Sequence, residues 1–226
     1  MPYSPSIPAP TTTGELLSRS YNLAGRTTAE IAQEMQIKVP DNLLHNKGWF
    51  GTLIELYLGA TAGSNPTQDF TNLGIELKTI PLDDKGLPLE TTFVCYTPLL
   101  GTAGLTYEKS NVRNKLKKVL WVPFLGMRTV PIAQRIIFTP FLWEPDAVEN
   151  QLLKTDWQEH MEKINLGDVE KITARDGEVL QIRPKAANGK ALTEAIGKDG
   201  KIIMTRPRGF YLRKNFTEGI LRKSYL

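Results

Sequence analysis

Hydrophobic positions along the chain change period several times, and each change marks an element. Gly14 to Ala24 and Thr28 to Met35 carry apolar residues at helical spacing, the second stretch entered through Thr27-Thr28 with Glu30 placed to complete a cap. Asp41-Asn42 opens another helical piece. Gly48-Trp49-Phe50-Gly51-Thr52-Leu53-Ile54-Glu55-Leu56-Tyr57-Leu58-Gly59 is apolar on most sides, which predicts a buried helix stopped at Gly59 and carrying one carboxylate, Glu55, inside it. Leu73 to Pro81, Thr91 to Thr97 and Lys115 to Phe124 are rich in β-formers and are separated by the turn signals Asp83-Asp84-Lys85-Gly86 and Gly101-Thr102-Ala103-Gly104, predicting a mixed or antiparallel sheet. Pro145 to Gly167 has Trp and Leu at helical spacing, with Asp146, Glu149, Asp156 and Glu159 expected on a solvated face. Val179 to Pro184, Ala191 to Ile196, Ile202 to Thr205, Phe210 to Arg213 and Phe216 to Tyr225 then alternate short strands and helices, with no internal repeat.

Composition narrows the class without naming a function. The 226 residues are 41% hydrophobic and 23% charged, an ordinary globular balance that fits one domain or two small lobes. Twenty-eight Lys and Arg against 24 Asp and Glu leave a net charge of +4, and the pI near 9.1 is mildly basic. No apolar run is long enough to cross a membrane, and the Pro- and Thr-containing start lacks the pattern of a signal peptide, so an intracellular protein is expected. Cys95 is the single cysteine and lies in a β-branched apolar run, which excludes an internal disulfide and a cysteine-based zinc site. His45 and His160 share no ligand or triad spacing and are read as structural or exposed. Gly59 to Ser64 resembles a phosphate loop only superficially, since the Gly-Lys-Ser/Thr ending is missing and a helix precedes it.

The stretch with chemistry in it is Asp69-Phe70-Thr71-Asn72-Leu73-Gly74-Ile75-Glu76-Leu77-Lys78-Thr79-Ile80. Alternation along a strand sends Glu76 and Lys78 to one face, toward a cleft or solvent, and Ile75, Leu77 and Thr79 to the other. Phosphodiester hydrolysis needs an activated water, relief of the negative charge gathering on phosphorus and help for the leaving oxygen. Hard oxygen ligands holding Mg²⁺ contribute to all three, and a lysine beside them orients the water as an ammonium or, where neighbouring groups tune its pKa, helps deprotonate it as the neutral amine. Asp69 and Glu76 are suitable ligands and Lys78 a suitable ammonium. By itself an Asp followed by Glu-x-Lys is better described as a half-exposed strand with an ion pair, since the bare pattern occurs by chance in many chains.

The arrangement resembles the PD-(D/E)xK nuclease signature, with Gln68 before the aspartate and Pro66 further upstream. Longer words resemble the MutH family of mismatch-repair nicking endonucleases: Asn46-Lys47-Gly48-Trp49, Gly59-Ala60-Thr61-Ala62-Gly63-Ser64, Gly74 to Pro81, Glu90 to Cys95, Gln181-Ile182-Arg183-Pro184-Lys185-Ala186-Ala187-Asn188 and Pro207-Arg208-Gly209-Phe210-Tyr211-Leu212. That resemblance implies an α/β (mixed α+β), restriction-endonuclease-like fold with a central mixed sheet flanked by helices. It also implies two lobes around a DNA-binding cleft, residues 1–145 mainly catalytic and 146–226 mainly for DNA readout. The implied activity is Mg²⁺-dependent nicking of the unmethylated strand at hemimethylated GATC in the cytoplasm, with Mn²⁺ or Ca²⁺ able to occupy the site. The implied partners are MutL as activator and, through it, MutS. Residue by residue, Asp69 and Glu76 become metal ligands, Lys78 the water-orienting lysine, Glu55 a further acid near the metal and Lys115 a basic group close to the chemistry. On residues alone, Glu55 reads first as a structurally paired buried carboxylate.

Lys109, Arg113, Lys115, Lys117 and Lys118 form the densest basic stretch, and in an extended chain Arg113, Lys115 and Lys117 share a face suited to phosphates, or to guarding an edge strand. Arg183 and Lys185 point together across Pro184 and can reach guanine O6 and N7, or clamp phosphates. Tyr211 alternates with the core residues Phe210 and Leu212, and the resemblance makes it a sensor of adenine N6 methylation. Lys47 and Phe93 join the DNA-contacting residues by the same resemblance. A single Asp69/Glu76/Lys78 set favours a nicking monomer over a two-strand restriction enzyme. A sequence-specific DNA-binding module without catalysis stays open as the alternative of another class.

Overall fold

The computed structural model describes residues 7–43, 48–63, 65–186, 188 and 190–225. The chain divides into two units, residues 1–90 with 118–144 and 224–226, and residues 91–117 with 145–223. The polypeptide therefore crosses between units at 90/91, 117/118, 144/145 and 223/224, where the sequence reading had a single division near 145.

The first unit begins with three helices, α1 (Thr13–Tyr21), α2 (Thr28–Glu34) and α3 (Trp49–Leu58). The Thr27 side chain accepts from Glu30 N while the Glu30 carboxylate accepts from Thr27 N, the reciprocal cap expected there. α3 ends where Gly59 adopts φ 77°, and a Cβ at that residue would come within 2.6 Å of the Pro8 carbonyl oxygen. The helical piece expected after Asp41-Asn42 reaches into residues 44–47, which lie outside the described residues, as do His45 and Lys47.

The sheet of this unit has the order β1 (Glu76–Leu82), β3 (Val119–Leu125), β4 (Phe141–Trp143). β1 runs parallel to β3 with Glu76 level with Val119 and Lys78 level with Trp121, while β3 and β4 are antiparallel. A parallel pair cannot be joined by a tight turn, and here the connection is the whole excursion of residues 91–117 through the other unit. Leu77, Leu120, Val122 and Phe124 join Leu16, Ile31, Phe50, Leu53, Ile54 and Leu58 of the helices in one apolar core. β3 is buried along nearly its whole length, which matches its unbroken apolar sequence. β1 is an edge strand, with the Glu76–Lys78 side on the face opposite that core.

The second unit holds β2 (Thr92–Tyr96), α4 (Asn111–Leu116), α5 (Ala147–Asn165), β5 (Leu180–Pro184), β6 (Thr193–Ile196), β7 (Ile202–Thr205), β8 (Arg208–Leu212) and α6 (Lys214–Tyr225). β2, β8 and β5 form an antiparallel sheet with β8 in the middle, and β6 and β7 form a separate hairpin.

Two expectations fail here. The Lys115 to Phe124 strand starts only at Val119, because Ser110 caps a short helix by accepting from Arg113 N at 3.1 Å. Residues two apart on a helix point in nearly opposite directions, so Arg113, Lys115 and Lys117 do not form one basic face; Lys115 is buried and Lys117 exposed. On α5, Asp146 and Glu159 are exposed as expected, but Glu149 and Asp156 are buried. Asp156 spends its charge on backbone donors, accepting from Glu178 N, Val179 N and Leu180 N at 2.9, 2.7 and 2.7 Å. Glu149 completes the α5 cap and pairs with Lys223 at 2.8 Å. His160 is structural, as read: it is buried, with Nε2 2.9 Å from Leu180 O.

Candidate functional site

Asp69 is brought to β1 by a short reversal of the chain. Phe70 and Ile75 exchange backbone hydrogen bonds at 2.9 and 3.3 Å, and Gly74 in the left-handed region at φ 64° lets the turn close between them. Residue 69 thus returns alongside 76 and 77. As β1 is an edge among the described strands, the Leu77 N–H has none of them to donate to, and it donates to Asp69 Oδ2 at 2.8 Å. The Asp69 carbonyl in turn accepts from Thr61 N at 2.9 Å and Ala62 N at 3.3 Å, tying the loop after α3 to the same place.

On β1 the expected alternation holds. Lys78 Nζ donates to Glu76 Oε1 at 2.6 Å, and the two side chains are only 14% and 3% exposed. The pair is thus inside the protein and not on a solvated strand face, walled on β3 by Val119 and Trp121, both buried. A buried ion pair held this way presents a carboxylate and an ammonium in fixed relation, the arrangement a hydrolytic site requires of them.

Glu55 is half-buried on α3, which packs against β1. Its Oε1 lies 4.0 Å from where a Cβ on Gly51 would be, and Thr79 Oγ1 lies 3.9 Å from the same point. Glu55 therefore belongs to the neighbourhood of Thr79, whose side chain alternates with that of Lys78. Among the described residues, no three His, Cys, Asp or Glu side chains gather closely enough to hold a metal ion by themselves. Lys115 lies in the other unit, on α4, and is 8% exposed.

Four of the expected DNA-contacting residues come together on one face of the β2–β8–β5 sheet. Phe93 is level with Tyr211, and Tyr211 with Gln181; two residues along β8, Gly209 is level with Arg183. The rings of Phe93 and Tyr211 meet edge to face at 5.3 Å. Lys185 Nζ sits 4.6 Å from the centre of the Phe93 ring, and the Arg183 guanidinium 5.7 Å from that of Tyr211. Arg183 Nη1 also donates to Thr91 Oγ1 at 2.9 Å. The Phe93 ring approaches β8 closely because Gly209 has no side chain; a Cβ there would stand 2.7 Å from Phe93 Cε2. Thr91, Gly209 and Trp121 have no functional part assigned from the sequence, since each matters only through a neighbour distant in the chain.

Two comparisons bear on this geometry. The family described as DNA mismatch repair enzyme MutH matches residues 58–156, a span that contains Asp69, Glu76 and Lys78. The DNA mismatch repair protein MutH of Escherichia coli O9:H4 strain HS is 55% identical over 222 residues, covering 98% of this chain and 97% of that protein. The protein of the same name from Escherichia coli K12 gives the same figures, 55% over 222 residues.

Proposed function

Because the chain belongs to the MutH family of DNA mismatch repair endonucleases, with its restriction-endonuclease-like mixed α/β fold, we propose that it nicks the unmethylated strand of duplex DNA at hemimethylated GATC. It is an enzyme that hydrolyses phosphodiester bonds, and the family works with a divalent metal ion. The observation that carries the finer reading is the buried Glu76–Lys78 pair with the Asp69 carboxylate fastened to the next backbone N–H of the same strand.

The metal is Mg²⁺ in this reading, and Mn²⁺ or Ca²⁺ can occupy the same ligands. Mg²⁺ is commonly held by one or two carboxylates together with substrate phosphate oxygens and water, so Asp69 and Glu76 suffice without a third acidic group gathered around them. Bound there, the ion would polarise the scissile phosphate and lower the pKa of a water. The chain's own residues do the rest. Asp69 is positioned by Leu77 N; Glu76 holds the Lys78 ammonium at hydrogen-bond distance. Lys78 orients the attacking water and offsets charge on the phosphate. Glu55 adds negative charge nearby, and family resemblance gives Lys115 a basic role in the reaction.

Readout falls to the aromatic and basic face of the second unit. Arg183 and Lys185 donate to guanine edges or to phosphates, Phe93 makes an apolar contact, and Tyr211 distinguishes adenine from N6-methyladenine through the crowding a methyl group introduces. Lys47, outside the described residues, is assigned a DNA contact by family resemblance alone. One Asp69/Glu76/Lys78 set per chain suits single-strand cleavage by a monomer. MutL, acting after MutS has found a mismatch, is the activator.

The test uses labelled unmethylated, hemimethylated and fully methylated GATC duplexes with Mg²⁺, each strand read separately, with and without MutL and ATP. Wild type nicks the unmethylated strand of the hemimethylated duplex, faster with MutL. Asp69→Asn, which can still accept from Leu77 N, binds GATC as wild type does and does not nick. Cleavage by that variant removes Asp69 from the site, and equal cutting of all three duplexes removes the methylation reading.

A further inference from the structure

We infer that Tyr96 is a further DNA-contacting residue, packing against a nucleotide just outside the four-base recognition sequence; this rests on the readout face proposed above. Strict alternation along β2 would put Phe93 and Tyr96 on opposite faces. The register slips between Phe93 and Cys95: Phe93 is level with Tyr211, Cys95 with Phe210 and Tyr96 with Gly209. Gly209 and Tyr211, two apart on β8, share a face, so the bulge carries Tyr96 onto the face of Phe93, Arg183 and Tyr211. Val94 and Cys95 stay in the core, at 2% and 5% exposure.

The result is a row of three rings. Tyr211 meets Phe93 at 5.3 Å and Phe93 meets Tyr96 at 5.6 Å, both edge to face, and the Arg183 and Lys185 cations stand over the first two. Tyr96 ends the row and is 61% exposed, a ring and a hydroxyl largely open to solvent. Large exposed rings are costly to hydrate, and a bulge that redirects one onto a cationic face is a device for aiming it. The cations call for a polyanion, and a duplex passing over them meets Tyr96 next: the ring suits a deoxyribose and the hydroxyl a phosphate oxygen.

Wild type and Tyr96→Ala are compared for binding to a hemimethylated GATC duplex with long flanks and to one trimmed close to the recognition sequence, in Ca²⁺ so that no cleavage occurs. On the long duplex the variant binds about tenfold more weakly, an interface-aromatic magnitude; on the trimmed duplex the two bind alike. Tyr96→Phe recovers most of the loss. Since tyrosine is neutral, Tyr96→Ala leaves the salt dependence unchanged, whereas Lys185→Ala lowers the slope by about one if Lys185 meets a phosphate. Equal losses on both duplexes would make Tyr96 only a support for Phe93, and an unchanged DNA affinity with weaker stimulation by MutL would make it a protein contact; either overturns the inference. If Arg183→Ala also leaves GATC binding intact, the readout face itself is wrong, and that outcome is separable from failure of Tyr96 alone.

Discussion

Glu76 and Lys78 form the most informative pair to perturb, because their side chains are 3% and 14% exposed and joined at 2.6 Å. Glu76→Gln leaves the ammonium facing a neutral amide, and Lys78→Met leaves the carboxylate with its cation removed. Removing one partner of a buried pair costs about 3–5 kcal/mol, since the remaining charge stays away from water. At about 2–4 °C per kcal/mol for a chain of this size, each single variant melts about 6–20 °C below wild type. The double variant Glu76→Gln, Lys78→Met has no stranded charge, and its loss falls short of the sum by about 2–3 kcal/mol. Urea unfolding followed by tryptophan fluorescence reads this directly, Trp121 being level with Lys78. All three variants lose nicking, so stability and activity part company in the double variant. Single-variant losses under about 1 kcal/mol, the range of an exposed pair, would refute the claim that this pair acts as a buried one.

Gly209→Ala forces the Phe93 ring off β8, because the new Cβ would stand 2.7 Å from Phe93 Cε2. The expected costs are about 1–3 kcal/mol of stability from overpacking and a loss of GATC affinity comparable to that of Phe93→Ala; wild-type binding by the variant would show that the ring does no work there. His160 donates from Nε2 to Leu180 O, its Nδ1 is buried with no hydrogen-bond partner, and burial holds its pKa below the usual value of 6.5. The unfolded chain therefore binds the proton more readily, so stability is full above about pH 6.5 and declines as pH falls below it. His160→Gln should flatten that limb of the curve, and an equally steep decline in the variant would assign it to other groups.

Much of this protein is local in origin. The Thr27 cap and Glu30, the apolar helix closed by Gly59, the single-period run of β3 and the shared face of Glu76 and Lys78 all follow from contacts within a few residues, where spacing alone sets geometry. The Ser110 cap that turns Lys115's segment into a helix was also local, yet lost beside the β-rich run that follows it. Other features arise between parts of the chain that are far apart, and no periodicity encodes them. That β1 is an edge, so that Leu77 N–H needs Asp69, depends on strand order. The burial of Asp156 depends on where Glu178 to Leu180 come to lie. The interleaving of the units depends on a parallel pairing that sends residues 91–117 away and back. Tyr96 shares a face with Phe93 only because one extra residue in β2 is left unmatched against β8, and a one-residue slip reverses every side chain beyond it.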